Sequence, residues 1–114
     1  MKLIAKTRIG SFPLCVYETR EVKGDGAYGV TFRSENGKGL AIYLDPDSSP
    51  AVYWETFWHE LAHAFCIAYG IRWRHDHIHA FGVGMSEMFR GFQWATPPSH
   101  ALPRGLAGRP KRRA

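Results

Sequence analysis

The chain has 114 residues, an apolar fraction of 45% and sixteen aromatic side chains, which supports one modest core, is too little for two, and rules out a wholly disordered protein. Its formal charge of +5 sits at one end: Arg104, Arg109, Lys111, Arg112 and Arg113 fall in the last eleven residues, while residues 1–103 carry ten basic and ten acidic side chains. The basic balance therefore belongs to a tail and argues against a nucleic-acid-binding face on the domain, so residues 1–96 are read as the domain and 97–114 as a disordered Pro/Gly/Arg-rich tail.

Residues 1–9 suit a strand or a short helix, and nothing in them decides which. Lys6 and Arg8 interrupt this segment before an apolar run of signal-peptide length develops, and no later run approaches a membrane span. Cys15 and Cys66 stand alone, without the short spacing of a zinc ribbon or a disulfide framework. A cytoplasmic protein without a membrane partner is the expectation. Residues 14–19, 28–33 and 40–44 are rich in β-formers and are separated by the turn-prone stretches Lys23-Gly24-Asp25-Gly26 and Glu35-Asn36-Gly37-Lys38-Gly39. Links this short favour an antiparallel meander. The expected class is α+β: an antiparallel sheet of three to four strands packed on two helices.

The first helix is expected from Pro50 to Tyr69, with Ser49 as N-cap, Pro50 at the first helical position and Gly70 as the left-handed stop. Within it lies His59-Glu60-Leu61-Ala62-His63. Positions i and i+4 share a helix face, so both imidazoles reach one metal ion while Glu60 points about a quarter-turn away, toward a metal-bound water. The surrounding segment is strongly apolar, and burying two unpaired histidines and a glutamate there is costly unless a metal engages them. Zinc is the natural occupant and hydrolysis the natural chemistry. The face through Val52, Glu55, Thr56, His59, Ala62, His63, Cys66 and Ile67 follows the helical period and directs both histidines inward.

After a linker at residues 71–74, a second helix is expected over 76–92, where Ile78, Phe81, Met85, Met88, Phe89 and Phe92 form an apolar stripe. Gly82 and Gly84 lower its propensity; they either fray it or admit another backbone at close range.

Catalytic zinc takes three protein ligands and keeps a fourth position open. The short-loop proteases that place a histidine six residues after the motif need one at position 69, which is Tyr69 here. The third ligand is therefore expected from the second helix, where His75, His77, His79 and Glu87 are the candidates. If that helix returns antiparallel after Gly70, a residue one or two turns into it reaches the level of the motif, and His79 fits best. His75 then lies at the mouth of the site, His77 points away, and Glu87 is two turns too late. His100 is read as a solvated linker residue.

On His59, Glu60, His63 and the segment Ile78-His79-Ala80-Phe81-Gly82-Val83-Gly84-Met85, the middle third of the chain resembles small phage and prophage metallopeptidase-like proteins, relatives of the ImmA/IrrE group of zincins. The resemblance implies a minimal zincin-like fold and a helix-borne third ligand, with His79 where an acid is usual. It also implies zinc-dependent peptide-bond hydrolysis, in the host cytoplasm if the gene is phage-borne. Glu60 would take the water's proton and pass it to the leaving amine. Tyr53, Tyr69, His75 and His77 are candidate oxyanion donors, Asp76 either orients a ligand imidazole or caps its helix, and a protein or peptide substrate is expected to align along the 40–44 strand. The competing expectation is a catalytically inactive, zinc-stabilised binding module. Nucleic acid enters either picture only through the tail.

Overall fold

A computed structural model describes residues 1–24, 28–33, 37–91, 93, 95, 96 and 99. The proposed tail over 97–114, except Ser99, lies outside the described residues, as do Phe92 of the expected apolar stripe and His100.

The fold is α+β. Strands β1 (Lys2–Ile9) and β2 (Phe12–Glu18) form a hairpin, a single helical turn α1 (Glu21–Gly24) follows, and β3 (Gly29–Arg33) and β4 (Leu40–Leu44) form a second hairpin. Two long helices close the chain, α2 (Pro50–Tyr69) and α3 (His75–Gly91). Of residues 1–9, undecided from sequence, 2–9 are strand.

The sheet corrects the expected meander. Its order is β1-β2-β4-β3, and β2 and β4 run parallel, so the sheet is mixed and not antiparallel. The reason is burial. Leu40, Ile42 and Leu44 are at most 3% exposed, whereas β3 carries Thr31 and the exposed Phe32 and Arg33. The most apolar strand takes an interior position, and the β2–β3 connection is long enough to carry the chain past it to the edge.

Leu14 and Val16 of β2 join the three β4 residues in the core. Over them lies α2, through Tyr53, Phe57, Leu61, Ala64, Ile67 and Ala68. The helix ends follow their local signals. Ser49 has extended backbone and its hydroxyl accepts from the Val52 N–H, while Gly70 (φ 64°) returns its N–H to the Cys66 carbonyl. No helix among the described residues is long and apolar enough to cross a membrane.

The inward face expected of α2 is only half of its contact surface. The residues on the sheet are those just named; the stripe through Glu55, His59 and Ala62 faces α3 and the cleft instead. Helix α3 runs back antiparallel and buries Ile78, Gly82 and Ser86. Gly82 carries the close approach: a Cβ there would stand 3.0 Å from both the Glu55 carbonyl oxygen and the His59 nitrogen. Gly84 has open space around it and no such role. Further along, the Trp58 and Phe89 rings meet at a tilt of 33°, with centroids 4.7 Å apart.

Candidate metal centre

His59 and His63 stand one turn apart on α2, and their Nε2 atoms face each other at 3.3 Å. Two nitrogens held by tetrahedral zinc at about 2.0–2.1 Å are separated by about 3.3–3.4 Å, so this pair already spans one edge of such a site. His75, the first residue of α3, completes a group of three whose ligand atoms all lie within 4.8 Å of one another. These three histidines are close enough to bind one metal ion, and neutral imidazoles are donors that zinc accepts.

The ligand favoured from sequence, His79, is not in that group. Its ring centroid is 6.1 Å from that of His59, against 5.1 Å for His75. The linker at 71–74 carries no regular structure and α3 begins with His75, whose ring centroid lies 5.1 Å from that of His59. One turn later His79 lines a cavity with Glu55, while the helix still lies against His59, whose backbone Gly82 meets. His77 is exposed. Glu87 is exposed and lies beyond the Gly82 crossing.

Burial and three neighbouring imidazoles, His63 foremost, push His59 down from its ordinary 6.5 to about 4. It is therefore neutral near pH 7, with a lone pair free for a metal. Glu60 is buried, and that burial pushes its carboxyl above the usual value, partly opposed by a Thr31 hydrogen bond and by His63 and His75. Thr31 Oγ1 donates to Glu60 Oε1 at 2.8 Å. The other carboxylate oxygen, Oε2, is 3.9 Å from His59 Nε2. One oxygen is thus anchored to the sheet while the other faces the histidines.

Thr31 and Tyr28 are the site residues that sequence reasoning missed. A threonine in a strand is unremarkable, and nothing local links it to a carboxylate 29 residues later. Tyr28 is exposed, its carbonyl accepts from the Asp45 N–H at 3.0 Å, and it walls the same cavity as His59, Glu60 and His79.

Several expected roles fail. Tyr53 donates to Glu18 Oε2 at 2.7 Å on the sheet side, away from the site. Tyr69 packs its ring at a tilt against Phe65 at the far end of α2. Asp76 pairs with Arg74 and accepts from the His77 N–H, so it holds the start of α3 and orients no imidazole. The substrate edge expected at Leu40–Leu44 does not exist, because β4 is paired on both sides. The free edge beside α2 is β3.

No family model, curated protein or solved structure matched this chain in comparison.

Proposed function

We propose that the protein is a zinc-dependent metallopeptidase of minimal zincin-like design, akin to the small phage and prophage proteins that its middle third resembles. The single observation that carries this reading is the divided Glu60 carboxylate, tied through Oε1 to Thr31 and turned through Oε2 toward a three-histidine group. His59, His63 and His75 would hold the ion. Zinc in such a site supplies Lewis acidity, polarising a carbonyl and making water easier to ionise. Glu60 takes the proton of the attacking water and delivers it to the leaving amine. A peptide lies as an added strand on the free edge of β3, with main-chain hydrogen bonds aligning it across the histidines.

Replacing Glu60 by Gln tests the assignment. Zinc stoichiometry should be unchanged, and cleavage of a denatured protein substrate should fall by about 10²–10⁴-fold. Undiminished cleavage rejects Glu60 as the base.

One observation favours a second reading. His79 is a fourth imidazole near His59, and a site closed by four protein ligands is structural, with no open position. On that reading the chain is a zinc-stabilised binding module. His79→Ala then weakens zinc binding and folding together, and no peptide is turned over by the unsubstituted chain.

A further inference from the structure

The cleft around the three histidines has ends of opposite charge, and strand β3 joins them. At its start, Tyr28 and Gly29 wall a cavity of about 310 Å³ that also holds His59, Glu60, His79 and Glu55. Among the described residues two carboxylates line this cavity, and no lysine or arginine does. Glu55 is half-buried and has no hydrogen bond or ion pair among the described residues.

At the other end of β3, Arg33 borders a second cavity with His63, His75, Cys66 and Arg72. Among the described residues this one is lined by two guanidiniums and no carboxylate. Arg33 lies over the Phe12 ring at 5.5 Å and has no acidic partner among the described residues; Arg72 has none either. Charged groups without a partner among the described residues, at the two ends of a strand edge, are open to a ligand of opposite charge.

The direction of β3 converts this polarity into a sequence preference. The strand runs from Gly29 to Arg33, and antiparallel pairing is the commoner mode of strand addition. A peptide added antiparallel enters at Arg33 and leaves at Tyr28. Residues before the bond facing the histidines then meet the guanidiniums, and residues after it meet Glu55.

We propose that the cleft selects peptides with an acidic residue on the N-terminal side and a basic residue on the C-terminal side of that bond. Glu55 is the specificity-determining residue for the basic side chain, and Arg33 with Arg72 for the acidic one. This rests on the reading of the cleft as a peptide-binding metal site, but it does not require turnover.

The test is therefore binding to the full-length Glu60→Gln chain with saturating zinc, read by fluorescence anisotropy. Three labelled octapeptides serve as probes: two aspartates then two lysines, the same residues in reverse order, and a neutral control. The first should bind about tenfold more tightly than the second, a difference of about 1.4 kcal/mol. Adding Glu55→Gln should remove the preference for lysine in the C-terminal half, and Glu55→Lys should turn it into a preference for glutamate. Arg33→Glu combined with Arg72→Glu should do the same for the N-terminal half, with circular dichroism verifying that each variant folds.

Equal binding of all three peptides, or none, overturns the proposal. Cleavage of the same peptides by the unsubstituted chain separates it from the peptidase reading. Ordered binding without cleavage sinks catalysis and keeps the charge preference, whereas cleavage indifferent to charge order does the reverse.

Discussion

The two sides of α2 do different work with the same twenty-residue helix. Toward the sheet it presents Tyr53, Phe57, Leu61 and Ala64 to the aliphatic core of β2 and β4. Toward α3 it presents Glu55, His59 and His63, and the packing there depends on a glycine contact and on rings that surround a polar centre. The first side holds the aliphatic core, and the second holds the histidines on which the proposed chemistry depends. Perturbing one should leave the other recognisably intact, and the following experiments are ordered by how strongly they should show it.

The largest effect belongs to the sheet side. Ile42 is fully buried, so Ile42→Ala should cost about 2–5 kcal/mol by lost transfer energy and a residual cavity. Urea denaturation measures it, and the fraction that remains folded should bind zinc with unchanged stoichiometry. On the α3 side, Gly82→Ala places a methyl 3.0 Å from two backbone atoms of α2. Neither atom can give way as a side chain does, so the helices must part. Overpacking of this kind typically costs about 1–3 kcal/mol. Because α3 carries His75, the same change should weaken zinc binding, which a chelator competition detects. Ile42→Ala and Gly82→Ala thus distinguish the two sides by whether metal affinity follows stability.

An effect no larger than that of Gly82→Ala is expected at the joint between the two sides. Thr31→Val removes the donor to Glu60 Oε1 while preserving the strand residue's shape, at a cost of about 1–3 kcal/mol for a buried acceptor left unpaired. Zinc should stay bound and turnover should fall, since the carboxylate loses its anchor. Unchanged turnover in Thr31→Val counts against the division of labour between the two oxygens.

The smallest signal is in pH. In chelator-treated protein, His59 has a folded value of about 4 against an ordinary 6.5. Its contribution to stability is complete above pH 6.5 and lost as pH falls toward 4. Glu60 has the opposite sign. Its folded pKa is raised above 4.5, so its contribution is present below that value and is lost as pH rises through the folded one. Thermal denaturation of the zinc-free Glu60→Gln chain should accordingly show a gain in stability at pH 7, and no gain there removes the claim that Glu60 is held against its solvation.

What was legible in the sequence was local. Ser49, Pro50 and Gly70 mark the ends of α2 within a residue or two of where they act, and the i, i+4 spacing puts His59 and His63 on one face without reference to the rest of the chain. What was not legible depended on connections. The position of β4 follows from how the chain between β2 and β3 is routed, so a meander was a natural but incorrect reading. The choice between His75 and His79 turns on how α3 is set against α2, which the four linker residues, without regular structure, do not announce. The Thr31 contact to Glu60 exists only because β3 reaches the edge beside α2, which neither segment encodes alone.

The central claim is that His59, His63 and His75 form one metal site. Its most direct test is zinc titration of the chelator-treated full-length chain and of its His75→Ala and His79→Ala variants, by competition with a chromophoric chelator. One zinc should bind per unsubstituted chain. His75→Ala should weaken it by more than the about tenfold to hundredfold typical of losing an outer partner, and His79→Ala by less than about tenfold. A chain that folds yet retains no zinc, or a His75→Ala variant that binds as tightly as the unsubstituted protein, would contradict it.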